Sequence, residues 1–298
     1  MSLLTDPSAR PFRFGVGLAI SDSRQDWVGK CTKAEDLGYD VLSVADHLGN
    51  PAPFSALVAA AEATTHPRLA TAVLNAGFYN PTLLARDVAT ADQLTGGRLE
   101  LGLGAGYVKS EFDEAGLPFL RAKERVDHLD RMTTRLRELF SDPGYKPRPV
   151  QPSGPPLWLA GHGNRILTMA AQKADIVGFT GFTTSRDGSS SYLDNLDAVT
   201  ERVLFARGLL GERLAKVELN ILVWRVLITE DRVEEARRLE PLRSLSADEM
   251  LRVPSVLIGT PKEIAEQLLE HRERLGITYV TVVERSMAAF AAVIELLK

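Results

Sequence analysis

From residue 13 to the end of the chain, short runs of aliphatic and β-branched residues alternate with longer stretches whose apolar positions recur every three or four residues. The first pattern predicts strands and the second amphipathic helices. Eight strands are expected, at residues 13–18, 40–44, 69–74, 98–103, 157–160, 175–179, 216–228 and 278–283. Strand then helix, repeated, is what parallel strands joined by crossover helices produce, so the predicted class is α/β. No internal repeat or compositional break divides the chain. The expectation is one barrel domain over residues 1–298, with loop insertions.

Local chemistry marks where helices start and stop. Asn80 and Pro81 supply an N-cap and a proline in the first turn, Leu84, Val88, Ala91 and Leu94 share one face, and Gly96-Gly97 permits the left-handed stop. Thr260-Pro261-Lys262-Glu263 is a capping box with proline inside it, and Gly276 follows that helix. Trp27, Cys31 and Ala34 fall on one helical face before Gly38, so Cys31 is expected to pack as a small hydrophobe. Residues 141–156, rich in proline, and 180–191, rich in Gly, Ser and Thr, are predicted surface loops. Residues 241–260 hold a short helix begun by the capping box Ser246 to Glu249, a candidate lid.

Composition narrows the function. The net charge is −4 with both signs interspersed, so no basic face advertises nucleic acid or an anionic lipid surface, and no apolar run reaches the roughly 18 residues of a membrane span. The chain starts without a charged, then apolar, leader, and its single cysteine leaves no internal disulfide; a cytoplasmic protein acting on a small molecule is expected.

In a parallel barrel, chemistry gathers where strands end. Strand two runs into Asp46-His47, strand three into Asn75-Ala76-Gly77, strand four into Gly104-Ala105-Gly106-Tyr107 and strand five into Gly161-His162-Gly163-Asn164. Glycine loops between a strand and a helix let backbone N–H groups approach an anion such as phosphate. Neither has the spacing of a P-loop or a dinucleotide fingerprint. Asp46-His47 is the one place where a carboxylate and an imidazole meet just after a strand, which suits a proton donor or acceptor near neutral pH or a loop-holding network. His66, in a loop, and His128 and His271, in charged helical stretches, are expected in solvent. No metal-binding histidine spacing is present, and no metal is expected.

The stretches VLSVADHL, LATAVLNAGFYNPTLLARDVATADQLTGGRLELGLGAGY, PLWLAGHGNRILTMAAQKADIVGF and VLIGTPKEIAEQLLEHRERLGITYV resemble the luciferase-like monooxygenase superfamily, specifically its coenzyme F420-dependent oxidoreductase branch. The resemblance covers nearly the whole chain in order. It implies a TIM-like (β/α)8 barrel with a deazaflavin ring in the C-terminal mouth, FMN being the alternative cofactor, and a homodimer. By the same resemblance Asp46 and His47 stand on the substrate side of the ring. Ala72-Val73 matches a bulge with a non-prolyl cis peptide that backs the ring, with Asn75 facing it. Gly104, Ala105 and Gly106 together with Gly161, His162, Gly163 and Asn164 match the phosphate cradle.

Two departures stand out. Where the family's sugar-phosphate dehydrogenases carry a glutamate after the strand-four loop and a tryptophan after the strand-two histidine, this chain has Tyr107 and, approximately, Pro51. The resemblance therefore does not extend to sugar-phosphate oxidation. Tyr107, with an ordinary phenol pKa near 10, is expected to stack or hydrogen-bond, or to give a proton to substrate. Hydride transfer with F420 is the expected reaction. An FMN-dependent monooxygenase using dioxygen, a non-catalytic flavin binder, and a phosphate-handling lyase or isomerase are the rivals; the last wants a lysine or carboxylates at strand ends, where only Asp46 and Glu284 are found.

Overall fold

A computed structural model describes residues 10–19, 21, 23–185, 188–239 and 245–298. Eight parallel strands close on themselves: β1 (Arg13–Leu18), β2 (Val41–Val44), β3 (Arg68–Thr71), β5 (Leu99–Gly104), β6 (Leu157–Ala160), β7 (Ile176–Phe179), β10 (Glu218–Val223) and β13 (Tyr279–Val283), which pairs again with β1. The ring is α/β as expected, a TIM-like (β/α)8 barrel. Between its strands lie α1 (Arg24–Asp36), α2 (Pro53–Ala63), α3 (Pro81–Leu94), α4 (Lys109–Glu114), α5 (Ala122–Ser141), α6 (Asn164–Lys173), α7 (Leu196–Leu210), α8 (Arg232–Leu239), α9 (Ala247–Met250), α10 (Pro261–Leu275) and α11 (Met287–Leu297). The predicted caps form. Asn80 accepts from the N–H groups of Thr82 and Leu83, Thr260 and Glu263 bond reciprocally, as do Ser246 and Glu249, and Gly276 is left-handed. Cys31 is buried in the core beneath α1, where burial pushes its thiol up to about 12.

Alternation along each strand divides the molecule into two cores. Outward residues such as Phe14, Val16 and Leu18 pack under the helices, in one continuous cluster. Inward residues fill the barrel in layers. The floor is ionic: the buried Glu100 carboxylate accepts from Arg13 at 2.7 Å and Arg68 at 2.5 Å, and Arg13 also pairs with Glu218 and lies over the Tyr279 ring. Val41, Ala70, Trp158, Ile176 and Tyr279 fill the middle. Toward the mouth the inward positions of β1, β5, β6 and β7 are small, Gly17, Gly104, Ala160 and Gly178, with Ala72 beside them, while β10 and β13 bring in the larger Leu222 and Val283; the well at the mouth thus has small residues on one side.

Several elements depart from the sequence reading. The predicted strand at 69–74 is broken by the Ala72–Val73 peptide, which is cis, and resumes as β4 (Leu74–Asn75). The predicted strand at 216–228 is two strands hinged at Trp224: β11 (Arg225–Ile228) leaves the barrel and pairs with β12 (Val256–Gly259). β12 was expected to be loop, since its short apolar run abuts a helix cap and carries no period of its own. Residues 180–191 were expected to be loop and instead contain a hairpin, β8 (Phe182–Thr184) with β9 (Ser191–Leu193). Of the candidate lid, α9 is present and residues 241–244 lie outside those described. Two histidines expected in solvent are engaged. His271 sits on the buried face of α10 with Nε2 at 3.2 Å from the Arg252 carbonyl, and burial lowers its pKa; His128 reaches the Ala76 carbonyl at 3.0 Å.

Candidate functional site

The predicted site residues meet at the C-terminal mouth. Asp46, just past β2, is turned inward and half-buried; its carboxylate accepts from the Asn75 N–H at 3.0 Å and from the Tyr79 hydroxyl. Burial raises its pKa, and those two hydrogen bonds work against the rise. Asn75 in turn accepts from the Gly77 N–H at 3.0 Å. The chain after the cis peptide is thus tied to the end of β2, which fixes how Val73 enters the barrel. Glycines make room for it: a Cβ on Gly104 would stand 2.8 Å from Val73 Cγ2, and one on Gly102 would stand 1.9 Å from the Thr71 carbonyl oxygen. Gly106, at φ +74°, turns the chain away from the well, and a Cβ there would stand 2.2 Å from Asn75 Oδ1.

That turn leads into α4, and α4 delivers a residue the sequence reading missed. Glu111 Oε1 lies 2.8 Å from His47 Nδ1, with the carboxylate 14% exposed and the imidazole 38%. A carboxylate can only accept, so the proton of this bond sits on Nδ1, which turns Nε2 toward the mouth as the ring nitrogen not engaged by Glu111. Carboxylates at the mouth are therefore not confined to Asp46 and Glu284. Glu111 lies in the first turn of α4, and a first-turn acidic residue of a helix after a glycine loop was the available signal. Glu284 is occupied elsewhere, accepting from the Ala19 N–H and pairing with Lys30.

Aromatic rings continue the rim. Tyr107 stands edge-on to His47, centroids 6.0 Å apart, and Phe182 of the hairpin packs against Tyr107 at 6.5 Å and against Trp224 at 5.0 Å. Burial, and then the charge of Glu111, raises the Tyr107 pKa, so the phenol stays protonated at neutral pH. The Trp224 indole donates to the Thr180 carbonyl at 2.9 Å. Neither Phe182 nor Trp224 was singled out in the sequence, because one lay in a predicted loop and the other inside a predicted strand.

The two glycine loops follow the neighbouring strands β5 and β6. Gly163 is the N-cap of α6 and offers no side chain to its first turn, so backbone N–H groups of that turn remain available to an anion. Asn164 Oδ1 accepts from Arg202 at 2.5 Å. The His162 ring is engaged with the hairpin side, Nε2 lying 3.3 Å from both Asp194 Oδ2 and Thr183 Oγ1. Gly104 faces the well, Ala105 packs instead against the outer core, and the Gly106 carbonyl accepts from Arg125 at 2.9 Å.

A parallel eight-stranded barrel with its polar groups collected beyond the strand ends is the architecture of a (β/α)8 enzyme site. This chain belongs to the luciferase-like monooxygenase family, whose model matches residues 11–279. It is 27% identical to an F420-dependent glucose-6-phosphate dehydrogenase of Intrasporangium calvum over 87% of this chain and 88% of that one. It is 30% identical to a 5,10-methylenetetrahydromethanopterin reductase of Archaeoglobus fulgidus over 48% of this chain and 45% of the relative. Among solved structures, a coenzyme F420 dependent tetrahydromethanopterin reductase from Methanopyrus kandleri superimposes with a TM-score of 0.74, covering 97% of this chain and all of that one at 18% identity.

Proposed function

We propose that this protein is an oxidoreductase that moves a hydride between the deazaflavin coenzyme F420 and a small organic substrate at the barrel mouth. The observation that carries the reading is the His47–Glu111 pair, set at the edge of a well lined on its β5, β6 and β7 side by small residues beside Val73. The donor set fits such a coenzyme. Glycines and alanines at Gly17, Ala72, Gly104 and Ala160 leave space for a flat ring over the filled middle layer, and the uncapped start of α6 suits a phosphate. Relatives with F420 chemistry support the choice over FMN.

When bound, the coenzyme supplies the carbon that gives or takes the hydride. The protein's work is placement and proton handling. Val73 would back the ring, Asp46 and Asn75 hold the bulge that carries Val73, and the loops Gly104 to Gly106 and Gly161 to Asn164 would hold the phosphate. His47 Nε2 takes or gives the substrate proton while Glu111 keeps the imidazole oriented. Asp46, committed to Asn75 and Tyr79, acts as a positioning residue. Tyr107 shapes the substrate side. A homodimer and a cytoplasmic location belong to the same reading, and sedimentation equilibrium tests the first.

The test is a titration of purified protein with F420 and with FMN, followed by each cofactor's fluorescence, together with turnover of the His47→Ala variant. Binding of F420 with turnover reduced at least about 100-fold and affinity kept is expected. Tight binding of FMN without F420 overturns the cofactor assignment, and unchanged turnover overturns the role of His47.

A further inference from the structure

The loop after β5 leads into α4, and α4 carries Glu111, yet a helix of six residues holds its place weakly by its own hydrogen bonds. Val108 at its start offers no side-chain cap, and Lys109 and Asp113 pair with each other on its exposed side. Phe112 is its one buried residue, 2% exposed, and the chain leaves the helix with the Leu117 N–H donating to the Phe112 carbonyl at 2.8 Å. The position of Glu111 therefore follows from where the ring of its neighbour is seated.

That ring fills a slot made by two glycines. A Cβ on Gly77 would stand 2.6 Å from Phe112 Cε1, and one on Gly106 would stand 2.9 Å from Phe112 Cζ. The same two positions flank Asn75 Oδ1, at 3.2 and 2.2 Å. Phe78 and Phe119 close the slot, each with its ring centroid 5.2 Å from that of Phe112. Gly77 and Asn75 belong to the bulge that is tied to Asp46, the chain neighbour of His47. A circuit results: Asp46 holds Asn75, Asn75 holds Gly77, Gly77 seats Phe112, and Phe112 brings Glu111 back to His47 Nδ1 at 2.8 Å.

We propose that Phe112 is a positioning residue of this site: its ring, seated between Gly77 and Gly106, sets Glu111 on His47 Nδ1 and so fixes which imidazole nitrogen carries the proton. The proposal rests on reading His47 as the group that exchanges the substrate proton. In the neutral ring a proton held on Nδ1 leaves Nε2 able to accept. With Glu111 out of register the proton is free to move to Nε2, and the ring can no longer accept there. An aliphatic side chain at position 112 keeps apolar volume in the slot and loses the plane that the two glycines admit, so α4 loses its register while the barrel beneath keeps its packing.

The experiment reads the imidazole directly. Nitrogen-15 NMR of the full chain with labelled histidine, free of coenzyme and at alkaline pH where the rings are neutral, distinguishes a proton on Nδ1 from one on Nε2. The spectrum of His47→Gln identifies the His47 signals among the five histidines. In the parent the Nδ1–H form is expected to outweigh the Nε2–H form at least about tenfold, the size of one hydrogen bond to a carboxylate. Glu111→Ala, the reference for a lost partner, and Phe112→Leu are both expected to bring that ratio below about threefold. Phe119→Leu, which removes one wall of the slot and leaves the ring inside it, is expected to keep the parent's ratio. Thermal denaturation accompanies every variant; should Phe112→Leu not fold, Phe112→Met, which keeps an unbranched apolar chain in the slot, carries the same expectation. A parent-like ratio in the folded Phe112 variant overturns the proposal. An equal drop in Phe119→Leu also overturns it, because the ring cluster would then act only as packing, and so does a parent-like ratio in Glu111→Ala, because Glu111 would not hold the proton. Unchanged turnover in His47→Ala, or failure of F420 to bind, refutes the proposed function instead, and neither enters the proton readout.

Discussion

Replacing Glu111 by glutamine separates orientation from charge at His47. The amide keeps the length of the side chain and one accepting oxygen, so the 2.8 Å contact with Nδ1 can persist while the negative charge is lost. Hydrogen bonds to charged groups contribute about 1.5–3 kcal/mol and neutral ones about 0.5–1.5 kcal/mol, a difference of about 1–1.5 kcal/mol. With the imidazole 38% exposed, solvent screening favours the lower half of that range. The expected loss in kcat/KM is therefore about five- to tenfold for Glu111→Gln. His47→Ala is expected to lose about 100-fold or more, the usual contribution of a positioned acid or base. The assay is a double-mutant cycle on F420-linked turnover, with coenzyme affinity followed by fluorescence in every variant. If Glu111 acts only through His47, adding Glu111→Gln to His47→Ala changes turnover by less than about twofold. An undiminished loss in the double variant would refute the reasoning, since Glu111 would then act directly on substrate or coenzyme.

Other outcomes follow from the geometry around the site. Gly106→Ala puts a side chain on a left-handed residue and within 2.2 Å of Asn75 Oδ1, so thermal denaturation is expected to show a loss of about 1–2 kcal/mol, with F420 affinity falling as the Asn75 bulge shifts. Glu100→Gln leaves Arg13 and Arg68 without their shared anion at the barrel floor, and a loss of about 3–5 kcal/mol is expected in denaturant titrations. Glu35 gives a pH signature. Partial burial pushes its pKa up, but the backbone N–H groups of His66 and Thr65 and the Thr65 hydroxyl outweigh it and hold the carboxyl at about 2. Its folded pKa lies below the unfolded value of about 4.3, so its stabilisation is complete above that value and disappears as pH falls toward about 2. Glu35→Gln is expected to cost about 1–2 kcal/mol at neutral pH after allowance for screening, a gap that closes in titrations at falling pH; a constant gap counts against the assignment.

The closed barrel is legible from strand-helix alternation because each barrel strand carries a short apolar signature bounded by polar or glycine residues. Strand ends are less legible where one backbone event redirects the chain. Nothing in the run Leu69 to Leu74 distinguishes a continuous strand from two pieces on physical grounds; the cis peptide at Ala72–Val73 was expected only through the family resemblance. At Trp224 a continuously strand-like stretch conceals a change of sheet, since β10 and β11 are both rich in aliphatic residues and differ in partner. Asp46, His47, Asn75 and Tyr107 were readable as residues just beyond strands. Glu111 was harder to read because its relation to His47 is made in space, across 64 positions of chain. His271 escaped for a related reason: it lies among charged neighbours along α10, yet the face it occupies is the one packed under Arg252.

Under the proposed function, the layering inside the barrel leaves substrate preference to the insertions. Along β5 the inward positions pass from Glu100 to Gly102 to Gly104, along β6 from Trp158 to Ala160, and along β7 from Ile176 to Gly178. Large and charged residues at the floor close the barrel and stabilise it; small ones above them set the depth of the well. Enlarging Gly102 or Gly104 would collide with the Thr71 carbonyl oxygen or with Val73, at 1.9 and 2.8 Å, and enlarging Gly178 with Trp158 at 2.3 Å, whereas Gly17 meets only ordinary contacts at 3.7 and 3.8 Å. On the β5 and β7 side the barrel wall therefore has little freedom to vary. Phe182 lies on the hairpin of β8 and β9, Trp224 at the hinge is held by its backbone N–H on the Ser255 carbonyl and its indole on the Thr180 carbonyl, and Tyr107 follows the left-handed Gly106. Their side chains can change without disturbing the floor, so exchange of these rings is where altered substrate preference should be sought with stability preserved.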